Sequence, residues 1–80
     1  MNKKLKVTFE YSYVRDGNLV YKTLIDHHVD IISDFELPGA ARSRITITCS
    51  NLEHMYNTLY DLNSVANERV SLVRYKYIKQ

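Results

Sequence analysis

The sequence predicts an α+β domain in which a four-stranded, mostly antiparallel sheet carries one helix on one face, in the order β-β-β-α-β. Apolar and polar residues alternate with period two near both ends of the chain, as they do in half-buried strands. Between these stretches, apolar residues recur at helical spacing. Eighty residues with 45% hydrophobic content are enough for one core, so we expect a single domain over residues 1–80.

The first two strands are expected to form one long hairpin from Lys4 to Ile32. Its turn is expected at Asp16-Gly17, a pair that is typical of tight turns. A three-residue loop with Gly17 in the left-handed conformation sets the register, because only then do both apolar sets share one face. The inward side chains would be Leu5, Val7, Phe9, Tyr11, Tyr13, Leu19, Tyr21, Thr23, Ile25, Val29 and Ile31.

An irregular segment and a third strand are expected after the hairpin. Residues 33–43 contain the only proline and favour a loop. Phe35 in this loop either folds back over one end of the core or anchors a binding partner. Alternation of β-branched and polar residues from Arg44 to Cys49 predicts the third strand.

The predicted helix begins at Ser50, which forms a capping box with Glu53, and it ends near Asn63. Its apolar stripe is expected to consist of Leu52, Met55, Tyr56, Leu59 and Leu62, which recur at helical spacing. The last strand runs from Val70 to Ile78, but its alternation breaks in the middle. One extra residue at Leu72-Val73, a β-bulge, restores a single inward face.

One helix is too small to cover this sheet. Two ten-residue strands extend about 33 Å, whereas a twelve-residue helix is about 18 Å long and 10 Å wide. Tyrosines would occupy much of the uncovered face, and they form either an ordinary half-buried core edge or an interface. We predict a protein-binding module that contacts a second copy of itself or a larger partner, as an accessory or inhibitor protein does. The predicted contact residues are Tyr11, Tyr13, Tyr21 and Phe35, with Arg42 and Arg44 at the rim.

Nucleic-acid binding is the alternative hypothesis, because the outward face of the predicted sheet collects basic residues. Cations on a sheet face can follow a phosphate backbone. The predicted aromatic residues lie on the opposite face, however, and Glu10, Asp26 and Asp30 interrupt the basic field. The residues of this alternative site are Lys4, Lys6, Arg74 and Lys76.

Candidate catalytic and metal-binding residues are few. Asp26, His28 and Asp30 share one predicted strand face, but no fourth ligand accompanies them. Cys49 precedes the helix N-terminus and His54 follows one turn later, without an orienting group or an oxyanion site. We therefore expect no enzyme, no metal, no cofactor and no small-molecule substrate.

The expected location is the cytoplasm. A single cysteine excludes an internal disulfide, and no apolar segment follows the basic N-terminus as in a signal peptide. The longest apolar runs are far too short to span a membrane, so no membrane partner is expected. The net charge of +2 permits contact with nucleic acid without arguing for it.

Overall fold

A computed structural model describes residues 4–39, 41–66 and 69–78, apart from the side chains of residues 13 and 14. The strands form one antiparallel sheet in the order β2-β3-β1-β4. The predicted α+β class and the four-stranded sheet are confirmed, but the chain has a second helix. This topology is the split β-α-β arrangement called ferredoxin-like. The elements are β1 (Lys4–Tyr11), α1 (Tyr13–Asp26), β2 (Asp30–Leu37), β3 (Arg42–Cys49), α2 (Leu52–Val65) and β4 (Ser71–Ile78).

The long hairpin predicted from Lys4 to Ile32 is wrong, because its second arm is the helix α1. Val20 and Leu24 lie one helical turn apart and are fully buried, whereas Leu19 and Ile25 are exposed. These burial values are those of a helix with one apolar side, not of a strand with alternating sides. The helix side of the sheet therefore carries two helices instead of one.

The two central strands, β1 and β3, carry most of the sheet's share of the core. Leu5, Val7 and Phe9 of β1 pair with Cys49, Ile47 and Ile45 of β3, and all six side chains are buried beneath the helices. The edge strands differ, because every residue of β2 except Leu37 and every residue of β4 except Ile78 is exposed. The helix layer therefore covers the middle of the sheet and leaves both edges open.

The β-bulge predicted at Leu72-Val73 is confirmed. Thr8 of β1 pairs with Arg74 and the next residue, Phe9, pairs with Leu72, so Val73 is the additional residue of β4. The bulge keeps Leu72 on the same side of the sheet as Phe9, which is the side that faces the helices. As a result, the apolar residues of β4 before and after the bulge share one face.

The loop predicted for residues 33–43 is much shorter than expected. Residues up to Leu37 belong to β2, which forms a hairpin with β3 through a turn at Pro38 and Gly39. Gly39 adopts a φ of 71°, a left-handed conformation that glycine accommodates without steric cost. Phe35 is therefore an exposed strand residue, so it does not fold back over the core from a loop.

Helix α2 begins one residue later than predicted. Its N-cap is Asn51, whose Oδ1 accepts a hydrogen bond of 2.8 Å from the backbone N–H of His54. The predicted capping box of Ser50 and Glu53 is therefore wrong, although the helix that was predicted from it is present. Helix α1 contacts β3, and α2 contacts β1 and β3 as well as α1. In the described part of the chain, neither helix is long and apolar enough to cross a membrane.

Candidate binding surfaces

The outer flank of α2 presents two exposed tyrosines. The flank that faces α1 carries Asp61 and His54: Asp61 Oδ2 lies 2.7 Å from His27 Nε2, and His54 Nε2 lies 2.7 Å from the His27 carbonyl oxygen. Tyr56 and Tyr60 project from the flank away from α1, one helical turn apart, and are 58% and 74% exposed. Helix α2 contacts β1, which is the neighbour of β4 in the sheet, so the flank away from α1 lies on the β4 side of the helix layer.

Strand β4 continues the same surface. Tyr75 and Tyr77 pair with Val7 and Leu5 of β1, so they share the side of the sheet that faces the helices, yet both are exposed. Within the described residues, no strand pairs with the outer edge of β4, which leaves its outward backbone groups open to a partner. We define the α2–β4 surface as Tyr56, Tyr60, Leu72, Tyr75 and Tyr77.

A second candidate surface is the open face, the side of the sheet opposite the helices. The register places Lys6 directly opposite Lys76 and Thr8 directly opposite Arg74. Thr46 follows on β3 as the neighbour of Thr8. These side chains line a shallow depression on the open face, which we call the basic depression. Its lining residues are Lys6, Thr8, Ile32, Ser33, Thr46, Arg74 and Lys76.

Of the predicted contact tyrosines, Tyr11 is buried and Tyr21 is half-buried. Tyr11 is 1% exposed, and its hydroxyl donates a hydrogen bond of 2.9 Å to Asp34 Oδ2. The Tyr21 hydroxyl donates to the same carboxylate oxygen. Burial, followed by the hydrogen bond to Asp34, raises the pKa of Tyr11, and the hydrogen bond to Asp34 raises that of Tyr21. These two residues connect β1 and α1 to β2, and the Tyr13 side chain lies outside the described residues.

The other predicted contact residues lie on the open face, away from Tyr11. Arg44 donates to Glu10 Oε2 through Nε at 3.0 Å and Nη2 at 2.6 Å, and Arg42 Nε lies 3.9 Å from Glu10 Oε1. Phe35 pairs with Arg44 in the sheet and is exposed. The two arginines thus have a carboxylate partner, whereas the Phe35 ring is accessible.

The alternative nucleic-acid site is brought together in the structure. Lys6, Arg74 and Lys76 converge at the basic depression, and Lys4 shares the open face two residues from Lys6 on β1. Among the described ion pairs, none involves these four cations. The predicted outward set of basic residues is therefore a cluster without a neutralising carboxylate contact.

The residues considered for catalysis have other partners or are buried. Burial raises the pKa of the Cys49 thiol to about 11, so this thiol stays protonated near neutral pH. His54 accepts a hydrogen bond of 2.9 Å from the Ser50 N–H at Nδ1, and its Nε2 is engaged by His27. Across residues 4–39, 41–66 and 69–78, no three His, Cys, Asp or Glu side chains are grouped so that they could hold a metal ion.

Sequence reasoning missed Tyr56 and Tyr60 as surface residues. Tyr56 was assigned to the apolar stripe of the helix, but the buried side of α2 is centred on Met55, Thr58 and Leu62. Two tyrosines at a spacing of four residues, beside a stripe that is already complete without them, were the available signal. Their position next to β4 depends on strand order, which the sequence pattern did not reveal.

No protein-family model matches the chain, and no curated protein matches it. The fold and its surfaces define a small α+β domain with a helix layer on one side of the sheet, an open sheet face on the other, and an unpaired edge strand. One fold supports many functions, so the topology does not assign one. A functional hypothesis therefore has to come from the two surfaces.

Proposed function

We propose that this protein is a non-enzymatic binding protein that acts by protein–protein contact through the α2–β4 surface. The observation that carries the proposal is the outer edge of β4, with which no strand of the described residues pairs, on the same side of the molecule as a group of exposed tyrosines. Tyrosine is enriched where proteins meet, since its ring supplies apolar area and its hydroxyl remains compatible with a wet rim. Tyr11 and Tyr21 are bound to Asp34, and the proposal rests instead on Tyr56 and Tyr75.

The proposed mode of contact is strand addition. An extended segment of the partner would hydrogen-bond to the outer edge of β4 and extend the sheet by one strand. Alternate side chains of that segment would pack against Tyr75 on the helix side of the sheet. The others would lie beside Arg74 and Lys76 on the open face. The partner segment therefore carries apolar residues on one side and acidic residues on the other.

A second copy of this chain is a poorer occupant of the same edge. If β4 paired with itself around Tyr75, Arg74 would lie opposite Lys76 of the second copy. If it paired around Lys76, two Lys76 side chains would be opposite each other. Like charges directly opposite one another destabilise a sheet, and cations on edge strands oppose edge-to-edge association. We therefore assign the surface to another protein, with this chain as its accessory or inhibitor.

The other edge strand, β2, is less suited to strand addition. Its helix side carries the carboxylates of Asp34 and Glu36, and Asp34 already accepts hydrogen bonds from two tyrosines. Both edge strands pair irregularly at one point, β2 between Ile31 and Ser33 and β4 at Val73, so this feature does not distinguish them. The combination of an open edge and exposed aromatic side chains on its helix side favours β4.

The experiment selects short random peptides on the immobilised chain. The enriched sequences should alternate acidic and apolar residues. Titration of the isotope-labelled chain with an enriched peptide should shift the NMR signals of β4 and of the Tyr56 flank of α2. Tyr56→Ala and Tyr75→Ala should each weaken binding by roughly five-fold or more, since aromatic side chains dominate interface energies. Phe35→Ala, on the far edge of the sheet, is the matched control and should bind normally.

Two results would overturn the proposal. The first is enrichment of peptides without the alternation, or of peptides whose signals map away from β4 and α2. The second is a stable dimer in sedimentation experiments that Tyr75→Ala dissociates, because a second copy would then occupy the surface. Since Tyr56 and Tyr75 are exposed, both variants should keep the wild-type circular dichroism spectrum.

We also propose a cytoplasmic location. Cys49 is a single, buried cysteine, and a free thiol of this kind is suited to a reducing compartment. Fractionation of cells that express the untagged chain tests this point. Recovery of the chain from the secreted or the membrane fraction would contradict it.

A further inference from the structure

The basic depression on the open face contains a row of hydroxyl groups that crosses the sheet. Ser33 pairs with Thr46, Thr46 with Thr8, and Thr8 with Arg74, so one row leads from β2 to β4. Thr8 and Thr46 are buried at the floor, where their Oγ1 atoms lie 3.1 Å apart. One hydroxyl donates to the other, which leaves the hydrogen of the accepting hydroxyl available to a ligand oxygen.

The cations of the depression are arranged at a cost to the fold. Lys6 and Lys76 are directly opposite each other on neighbouring strands, and like charges in this position destabilise a sheet. Glu10, the carboxylate on the same strand as Lys6, is already bound by Arg44. Asp30 shares the row of Lys6 but lies two strands away, at about 10 Å by strand spacing. Among the described residues, no carboxylate therefore forms an ion pair with these cations.

The chemistry of the site fits a phosphate group. Lysine and arginine side chains together provide point charge and a planar pair of N–H donors, which is the combination that phosphate oxygens accept. Hydroxyl donors at the floor would complete the contacts of a bound oxygen. Lys4 extends the positive charge along β1 on the same face. This depression can therefore hold one phosphate, and Lys4 adds positive charge for the next phosphate along the strand of nucleic acid.

An exposed aromatic ring lies on the same face. Phe35 is two residues from Ser33 on β2, shares the open face with it, and is half exposed. Across four strands, the distance from β2 to β4 is roughly 14 Å. An accessible ring at this distance from a phosphate site can stack on an unpaired base, whereas a duplex keeps its bases inside.

We propose that the open face binds single-stranded nucleic acid, with a phosphate in the basic depression at Lys6, Arg74 and Lys76 and a base stacked on Phe35. This activity is separate from protein contact at the α2–β4 surface, although Arg74 and Lys76 border both sites. Lys6 and Phe35 belong only to the open face. They are therefore the residues on which the test is built.

The experiment measures the fluorescence anisotropy of labelled single-stranded DNA and RNA oligonucleotides, and of the matching duplex, over a range of salt concentrations. Single strands should bind more tightly than the duplex. The logarithm of the association constant should fall against the logarithm of salt with a slope of about −1.4, at roughly 0.7 for each of two neutralised phosphates. Lys6→Ala should reduce the slope by about 0.7 and the affinity several-fold. Phe35→Ala should reduce affinity roughly ten- to a hundred-fold without changing the slope.

Lys22→Ala is the matched control, because Lys22 is an exposed lysine on α1, on the other side of the sheet. It should leave affinity and slope unchanged. If Lys22→Ala and Lys6→Ala reduced the affinity for the oligonucleotide equally, the proposal would be overturned, because the binding would then be non-specific electrostatic attraction. Duplex binding as tight as single-strand binding, or binding indifferent to Phe35→Ala, would overturn it as well. In the latter case, full competition by inorganic pyrophosphate would identify a small-anion site.

The two proposals fail independently of each other. Tyr56→Ala lies on the helix side and should bind the oligonucleotide as the wild type does, even if it loses the selected peptide. Lys6→Ala should keep the peptide and lose the oligonucleotide. Removal of Lys6 relieves a like-charge pair, so the variant should be folded, and its circular dichroism spectrum checks this point.

Discussion

The replacement of Leu24 and of its neighbour Ile25 by alanine tests the most consequential feature of the fold, which is that residues 13–26 form a helix. Leu24 is fully buried on α1, whereas Ile25 is 67% exposed. A strand over the same residues would reverse this order, because Ile25 would then point inward and Leu24 outward. The pair of variants therefore separates the two conformations without any structural measurement.

The magnitude follows from burial. A leucine-to-alanine change at a fully buried position costs about 2–5 kcal/mol, from the lost transfer energy and the cavity that remains. A domain of this length has a free energy of unfolding of about 4–12 kcal/mol. Leu24→Ala should therefore remove a large part of the stability. Ile25→Ala should change it by about 0.5 kcal/mol or less, because the side chain is exposed and alanine favours the helix.

Urea denaturation followed by far-ultraviolet circular dichroism measures both values at equilibrium. Thermal unfolding provides a second measure: a loss of about 3 kcal/mol should lower the Tm by roughly 12–24 °C in a domain of this size. Similar m-values for the two variants and the wild type would show that the unfolded states are comparable. If Ile25→Ala proved more damaging than Leu24→Ala, the helix and the burial pattern built on it would be refuted.

Two further predictions concern single positions. Gly17→Ala should raise the free energy of unfolding by about 0.5–1 kcal/mol, because Gly17 is inside α1 and a Cβ there meets no atom within 4 Å. Gly39→Ala, at a φ of 71°, should instead lower it by about 1–2 kcal/mol, and loss of stability in both variants would contradict the helical conformation of Gly17. Because the pKa of Tyr11 is raised in the folded state, stability should be unaffected by this residue below pH 10. Above it, stability should fall with a slope of up to about 1.4 kcal/mol per pH unit. Urea titrations from pH 8 to 11 should show a weaker fall in Tyr11→Phe than in the exposed control Tyr60→Phe.

Strands β1, β3 and β4 and the second helix could be predicted because their signals are unambiguous. β1 and β3 alternate apolar and polar residues over a full element, and one side of each is fully buried, so a strand is the only conformation that fits. The bulge in β4 was predictable for the same reason, since the alternation changes parity at a single point. In each case, the local pattern and the tertiary environment agree.

Helix α1 could not be separated from a strand by pattern alone. The apolar residues between 19 and 25 fit two patterns at once. Val20 and Leu24 are one helical turn apart, as on one side of a helix, whereas Leu19, Tyr21 and Ile25 follow the period of two of a strand. Asp16-Gly17 added a misleading turn signal. The helix also lacks the usual start signal, since the Ser12 side chain makes no capping hydrogen bond. Tertiary packing decided the conformation.

The location of the exposed surface depends on that one element. With α1 present, the apolar face of β1 and β3 has its cover within the chain, and Tyr11 becomes part of the core. The exposed apolar surface that the sequence predicted on the hairpin is therefore found instead on the edge strand β4. Crossover through α2 puts β4 beyond β1, at the end of the sheet opposite β2. The consequence is a strand that is apolar on one side, basic on the other and, within the described residues, unpaired along its outer edge, which we propose a partner uses.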